Sequence, residues 1–376
     1  MHQEKIIPRS VSIWLFIGIV LIFVQVNIGG ITRLTDSGLS ITEWEVIKGT
    51  LPPMSAEAWD TAFDKYKVSA SQQYEAIHGG ESMTMYEFKV IYFWEWFHRF
   101  WARSISFVFL FPFLYFLYKR YLPTWLVKRL GIVVACAALA ATFGIIMVYS
   151  GFNDDKRTWV SAYKLLGHLS IACLTFGYLF WTWLKVKYPN RINTDHASDL
   201  KPMLKGIIVV LLLQIGFGAL MAGMRAGLIH PYISMLVKGD QFWNFLWQSD
   251  GSIAESIVDY EKSVSIKAWV QLLHRTTAYI LTALIIWFFV KVKRISSYSH
   301  SYPHIAYGAN GMMIFLLIQV LLGILTIVNS VGKIPLVYGV LHQAGALILL
   351  AFVLFSTFHI NKSKASKLST ISVNNC

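Results

Sequence analysis

The sequence predicts an all-α integral membrane protein in which eight transmembrane helices form two pseudo-twofold-related four-helix bundles. Composition is the first reason: 56% of the 376 residues are hydrophobic, 14% are charged and the mean hydropathy is +0.53. A soluble domain of this size cannot bury so much apolar surface. The second reason is that the apolar residues form runs of about 20, the length that crosses a bilayer. The predicted spans are 11–31, 90–118, 130–150, 163–184, 204–224, 268–290, 309–329 and 336–359.

The distribution of lysine and arginine predicts the orientation of these spans. With eight spans, 17 of the 33 basic residues fall in short segments on one side, whereas the two long loops after spans one and five carry many acids. By the positive-inside rule, both termini are cytoplasmic. The formal charge of +13 is then a topology signal, and we expect no nucleic-acid partner. The first span has no small-residue cleavage site after it, which favours a retained helix over a signal peptide.

The outer segment before the second span carries helix signals of its own. Thr84 and Glu87 have the spacing of a capping box, which predicts that the second long helix begins near Met85. The preceding stretch SAEAWDTAFDKYK places three aromatic residues at helical spacing. It predicts a short helix that lies on the membrane surface or over a bound group.

An internal repeat divides the chain into two halves, 1–190 and 191–376, which are joined by the polar stretch KYPNRINTDHASDLKP. Four features recur in the same order: a glutamine with glycine four residues later, a small-Gly-Leu triplet, a His-Arg pair with alanine four residues after the histidine, and a Gly-Ile-aliphatic run. The glutamine and its glycine are Gln25 and Gly29 in the first half and Gln214 and Gly218 in the second. The triplets are 37–39 and 226–228, the histidines of the His-Arg pairs are His98 and His274, and the Gly-Ile runs begin at Gly144 and Gly323. Each half therefore corresponds to one four-helix unit.

Four histidines, His98, His168, His274 and His342, lie near the start of long apolar helices at similar depth. The basic residue that ends the apolar helix lies 17 to 21 residues after each histidine, at Lys119, Lys185, Lys291 and Lys362, which is roughly one hydrocarbon thickness. Ionisable groups inside a membrane are costly and usually functional. Since neutral imidazole is a haem ligand, the two matched pairs predict two bis-histidine haem-iron sites, one in each half, near the outer face. The seven other histidines lack this register: His2, His196, His300, His304 and His359 on the cytoplasmic side, and His78 and His230 in outer loops.

The halves differ in one ionisable position beside the histidines. Glu95 precedes His98 by three residues, whereas the corresponding residue of the second half is Gln271. A carboxylate suits a site that moves protons or stabilises positive charge, so the first half is the candidate catalytic half. The alternative is an i,i+4 ion pair between Glu95 and Arg99. Arg99 and Arg275 are candidate partners of haem propionates, with membrane-interface anchors as the alternative.

The motifs together resemble the haem A synthase family. The resemblance is carried by GGITRLTDSGLSITEW (29–44), TLPPMSAEAWDTAFDKYK (50–67), FKVIYFWEWFHRFWAR (88–103), QIGFGALMAGMRAGL (214–228), VQLLHRTTAY (270–279) and LHQAGA (341–346), and it covers nearly the whole chain in order. It implies oxidation of the C8 methyl group of haem O to a formyl group, with water as the oxygen source. Haem O synthase and cytochrome oxidase assembly factors are the implied partners, and a homo-oligomer is compatible with the pattern.

The same resemblance implies roles for individual residues. His98 and His168 would bracket the substrate haem O, His274 and His342 would ligate a permanent haem b, and Glu95 would be catalytic. Some members carry an outer cysteine pair linked to electron transfer. Here Cys136 and Cys173 lie inside spans and Cys376 ends the chain, so the chain is similar to the cysteine-pair-free subgroup and its electron acceptor stays open.

Two other classes of protein share part of this pattern. A diheme b-type membrane cytochrome that exchanges electrons with quinone would also carry four transmembrane histidines, but would not need a carboxylate in one half only. A haem transporter or chaperone would load haem without forming a product. The lack of an Arg- and Ser-rich leader favours the plasma membrane of a bacterium over an organelle, with the haem sites toward the outer face.

Overall fold

The structure, a computed structural model, describes residues 7–43, 48–70, 73–75, 83–152, 158–189, 199–234, 238–248, 253–298 and 303–360. Within these ranges the regular secondary structure is helical, apart from one isolated β-bridge between Val331 and Lys333. The helices are α1 (Arg9–Leu34), α2 (Ala56–Ser69), α3 (Met85–Tyr118), α4 (Thr124–Phe152), α5 (Ala162–Lys187), α6 (Leu200–Gly223), α7 (Gly239–Trp247), α8 (Ile253–Val258), α9 (Val264–Tyr298), α10 (Pro303–Val328) and α11 (Leu336–Ile360). Both chain ends, most of the linker between the halves, His2, His78, His196, His300 and Cys376 lie outside the described residues.

The long helices confirm a helical membrane protein. Among the described residues, seven helices are long and apolar enough to cross a bilayer: α1, α3, α4, α5, α6, α10 and α11. Each corresponds to one of the predicted spans, although α6 and α10 end one residue before the predicted ends at 224 and 329. The remaining predicted span, 268–290, lies inside the 35-residue helix α9, which is not one of the seven.

The outer segment before α3 folds as the sequence predicts. The side chain of Thr84 accepts from the backbone N–H of Glu87, and the Glu87 carboxylate accepts from the N–H of Thr84 at 2.8 Å, so the capping box is formed and α3 begins at Met85. The predicted surface helix is α2. Its Tyr66 is fully buried beside Phe88 of α3, with ring centroids 5.5 Å apart, and burial of one such ring contributes roughly 1.5–3 kcal/mol. Helix α2 therefore covers the N-terminal end of α3.

The helices of each half pack in the same order but differ at one side. In the first half α3 packs on α1, α1 on α5, and α5 on α4; in the second half α9 packs on α6, α6 on α11, and α11 on α10. The second set closes into a ring because α9 also packs on α10, whereas α3 and α4 do not pack along each other. Helices α1, α5, α6 and α11 form the contact between the halves.

Corresponding turns of the two halves meet after the C-terminal ends of α1 and α6. Asp36 and Arg225 each precede a small-Gly-Leu turn, and both have left-handed backbone with φ of 57° and 53°. Their side chains form an ion pair across the two halves. Arg33 adds hydrogen bonds of 3.1 and 3.0 Å to the carbonyls of Ala222 and Gly223. Complementary charges at matched positions thus join the C-terminal ends of α1 and α6.

Candidate functional site

His98 and His274, which lie on α3 and α9, are each placed against a glycine of a neighbouring helix. A Cβ atom on Gly29 of α1 would lie 3.1 Å from Nε2 of His98, and a Cβ atom on Gly218 of α6 would lie 3.3 Å from Cε1 of His274. These are the glycines that the repeat places four residues after a glutamine. Glycine leaves the space that each imidazole ring occupies.

His168 of α5 and His342 of α11 are also placed against glycines of neighbouring helices, α4 and α10 respectively. A Cβ atom on Gly144 would lie 3.1 Å from Cε1 of His168, and one on Gly323 would lie 3.2 Å from Cε1 of His342. Nδ1 of His168 is also 2.8 Å from the carbonyl oxygen of Ala140. A bond from Nδ1–H to a carbonyl leaves Nε2 as the nitrogen available to a metal.

The second-half pair has the spacing expected of two ligands on one metal ion. The ring centroids of His274 and His342 are 6.4 Å apart, with ring planes at 75°. A metal–imidazole bond is about 2.0–2.1 Å long, so two imidazoles on opposite sides of one ion place their centroids roughly 6 Å apart. The side-chain amide of Gln214 lies 3.3 Å from Nε2 of His274 and is itself bonded by the hydroxyl of Thr277. The spacing and the ligand type of the pair suit a haem iron, and the ring nitrogens that are buried without a hydrogen-bond partner are the Nδ1 atoms of both histidines.

The first-half pair is arranged less closely. His98 and His168 lie within electrostatic range of each other, but no ring contact joins them in the described part of the chain. No group of three or more His, Cys, Asp or Glu side chains that could hold a metal ion is found there either. Two axial imidazoles, by contrast, suffice for haem because the porphyrin supplies the other iron ligands.

Glu95 is the centre of a buried hydrogen-bond cluster. It is 3% exposed, although its helix is exposed along much of its length. The hydroxyl of Ser40 donates to Oε2 at 2.7 Å, and the backbone N–H of Ile41 donates to the same oxygen at 2.8 Å. Arg99 forms the i,i+4 ion pair with Oε1, as the alternative reading of the sequence expected, and donates to the carbonyl of Ile41 at 3.2 Å. Every one of these groups is a donor, which suits an ionised carboxylate because it only accepts.

The second half has a neutral counterpart of this cluster. The amide of Gln271 donates to the carbonyl of His230 at 3.0 Å, and Arg275 donates to the same carbonyl at 3.1 Å and to that of Ile233 at 3.3 Å. His230 lies 189 residues after Ile41, the spacing that also relates Gln214 to Gln25. Burial lowers the pKa of the His230 imidazole, and Arg275 acts in the same direction. Arg99 therefore binds the loop that follows α1, and Arg275 binds the loop that follows α6.

Ser40 and Ile41 are site residues that the sequence motifs did not single out. They lie in the SGLSI stretch, just after the small-Gly-Leu turn, and reach Glu95 across 55 and 54 residues of chain. The signal in the sequence is an asymmetry: the position that matches Ser40 in the repeat is Ile229, which has no hydroxyl. Comparison of matching positions in the two halves, which identified Glu95, would also have identified Ser40.

Two of the histidines that were not predicted as ligands lie together at the opposite ends of the helices. His304 begins α10 and His359 ends α11, and their rings stack with centroids 4.5 Å apart. Tyr188 packs against His359 at 4.9 Å. They are thus separated from the four predicted ligands by about the length of a helix.

The fold and the two histidine pairs define a class: a multispanning helical membrane protein whose two helical units each hold a pair of imidazoles. The family follows from sequence comparison. The model of the COX15-CtaA family, described as cytochrome oxidase assembly protein, matches residues 12–354, and the chain belongs to this family.

Individual relatives are similar over almost their whole length. A protein named heme A synthase from Flavobacterium johnsoniae is 37% identical over 354 residues, which cover 94% of this chain and 98% of that protein. A protein of the same name from Flavobacterium psychrophilum is 37% identical, with 94% and 99% covered. A third, from Bradyrhizobium sp. (strain ORS 278), is 34% identical, with 96% and 94% covered.

Proposed function

We propose that this protein is a haem A synthase, a membrane oxidoreductase that converts the C8 methyl group of haem O to a formyl group. The family and the name shared by its relatives support the reaction class. The observation that carries the assignment of the site is the buried Glu95, one helical turn from His98 and held by three donors, in the first half only. An electron-transfer cytochrome would have no use for this difference between its halves.

The membrane arrangement follows from the same reasoning. Helix α9 crosses the membrane as the eighth span, and the halves 1–190 and 191–376 are related by a pseudo-twofold axis between them. The paired turns at Asp36 and Arg225, together with the four glycine–histidine contacts, support this relation. The positive-inside rule places both termini in the cytoplasm and the histidines near the outer face of the cell membrane.

The second half holds the resident cofactor, haem b, between His274 and His342. When bound, this haem supplies a one-electron redox centre within the membrane. The closed ring of α6, α9, α10 and α11 suits a permanent group because it limits exchange with lipid. A guanidinium has five N–H donors, so Arg275 can bind the loop carbonyls and still pair with a propionate at the outer rim. Arg99 has the equivalent position for the substrate.

The first half binds haem O between His98 and His168 and oxidises it. Conversion of the methyl to the hydroxymethyl group consumes one water and releases two protons and two electrons, and oxidation to the formyl group releases two more of each. Water supplies the formyl oxygen. Positive charge develops at the methyl carbon as electrons leave, and the Glu95 carboxylate stabilises that charge. Ser40 and the N–H of Ile41 fix Oε2, and Arg99 occupies one lone pair of Oε1, so the second lone pair of Oε1 can accept a proton from the attacking water.

The substrate and product identify the partners by their chemistry. Haem O comes from haem O synthase in the same membrane, and haem A is passed to factors that assemble cytochrome oxidase. The released electrons require an acceptor. A diheme quinone cytochrome and a haem transporter are the competing functions, and neither forms a new pigment.

Pigment analysis tests the proposal. Cells that make haem O but no haem A are given this gene, and their extracted haems are separated by chromatography. The proposal predicts that a haem A peak appears at the expense of haem O. Unchanged haem O, with this protein present in the membrane and containing haem, would instead support a cytochrome or a transporter.

A further inference from the structure

The first half has an open side that the second half lacks. Helices α9 and α10 close the second ring, whereas the corresponding helices α3 and α4 leave a gap. No residue of α3 between 96 and 115 is buried, and none of α4 between 134 and 149 is. We name the side between these two stretches the window.

The inner face of α4 shows where the window begins. Leu126, Leu130 and Val133 form a buried stripe on α4, but Ala137, the next position of the same stripe, is exposed. On α10 the matching stripe stays buried through Leu316, which is 3% exposed and occupies the position equivalent to Ala137. The second half therefore has a leucine where the first half has an alanine and open space.

Helix α3 shows the same difference. Leu281, Ile285 and Phe288 of α9 are buried at helical spacing, while the equivalent residues of α3 are only partly covered. One of these equivalents is Pro112, which cannot continue the helical hydrogen bonds.

Both ends of the window are closed. On the outer side, Leu39 packs in one apolar cluster with residues of α2, α3 and α4. On the other side, Phe116 and Leu122 join the main core. The opening is thus confined to the membrane interior.

The window is continuous with the first histidine pair. Ala137 lies one turn before Ala140, whose carbonyl binds Nδ1 of His168, and α3 carries His98. An apolar group that extends from a porphyrin held by these histidines toward the bilayer centre would pass between Ala137 and α3. The closed second half offers no such path.

We propose that the window is the seat of the farnesyl tail of haem O and the route by which the substrate enters from lipid. This inference rests on the proposed function. Haem O differs from haem b by a hydroxyethylfarnesyl chain in place of a vinyl group, so the half that must accept the long chain is open and the half that holds haem b is closed. The alanine-lined face of α4 supplies the width, and the aromatic face of α3 supplies apolar contact.

The test compares a filled window with a matched control. Ala137→Leu introduces the residue that the second half has at this position. Ala135→Leu adds the same side chain to an exposed position on roughly the opposite face of α4. Full-length proteins with the resident haem in place are titrated with haem O and with haem b, and binding at the first-half site is followed by difference absorption spectroscopy. The resident spectrum reports correct folding.

Ala137→Leu should weaken the binding of haem O by about tenfold or more and change that of haem b less than about twofold, while Ala135→Leu changes neither. Equal loss of both haems would mean that Ala137 contacts the porphyrin, and no loss of either would mean that lipid or a second copy of the chain covers the window. Either result overturns the proposal. The titration measures binding and needs no turnover. If the wild type failed to form haem A, the proposed function would be refuted, but the binding data would still test the window.

Discussion

Ser40 gives the sharpest test of the hydrogen-bond cluster around Glu95. Ser40→Ala removes the 2.7 Å hydrogen bond from the Ser40 hydroxyl to Oε2 of Glu95. Both residues are buried, with Ser40 1% and Glu95 3% exposed. A hydrogen bond to a charged group contributes about 1.5–3 kcal/mol, and solvent screens this one little because both partners are buried. Since about 1.4 kcal/mol corresponds to a factor of ten, we expect kcat for haem A formation to fall roughly 10- to 100-fold.

The control is Ser37→Ala, because Ser37 is buried in the same loop but its hydroxyl contacts Thr35. Purified variants with resident haem are assayed at saturating haem O, and the substrate affinity is measured separately. Ser40→Ala should change the affinity less than about threefold, and Ser40→Thr, which keeps the hydroxyl, should recover much of the rate. Wild-type kcat in Ser40→Ala, or an equal loss in Ser37→Ala, would refute the assigned role.

Three further predictions concern the histidines, the glycines and the topology. His342→Ala should remove the resident haem b spectrum, whereas His98→Ala should keep it and lose substrate binding; equal loss in both would contradict the division between halves. Gly323→Ala should displace the His342 ring and reduce the amount of haem that the purified protein retains. Gly206→Ala should not, because a Cβ atom there meets no atom within 4 Å. Haem absorption per protein is measured for both variants, and an unchanged haem content in Gly323→Ala would contradict the close contact with His342. Reporter fusions in the segment before α3 should be external and those near residue 195 internal, and an external 195 would overturn the span count.

The sequence was sufficient for the features that depend on local pattern. The capping box at Thr84 and Glu87 fixed the start of α3, and the repeat located the four histidines together with the glycines that face them. Local patterns suffice here because helix periodicity and small-residue spacing act within one element or between adjacent ones.

Features that depend on contact between distant segments were not predicted. The bond from Ser40 to Glu95 joins a loop to a helix, and the pair of Asp36 with Arg225 joins the two halves. Nothing in either local sequence specifies the partner. The window was also hidden, because Ala137 and Leu316 are both ordinary residues of apolar helices and only packing makes one exposed and the other buried.

The central claim is that Glu95 gives the first half its chemistry, and one measurement tests it most directly. Haem A formation from haem O is followed with purified wild type, Glu95→Gln and Glu95→Asp, matched for protein and resident haem. Glu95→Gln keeps the volume but removes the charge, so it should bind haem O and form no haem A, while Glu95→Asp should retain part of the rate because the charge remains. If Glu95→Gln forms haem A at the wild-type rate, Glu95 only anchors Arg99 and the outer loop, and the catalytic assignment is wrong.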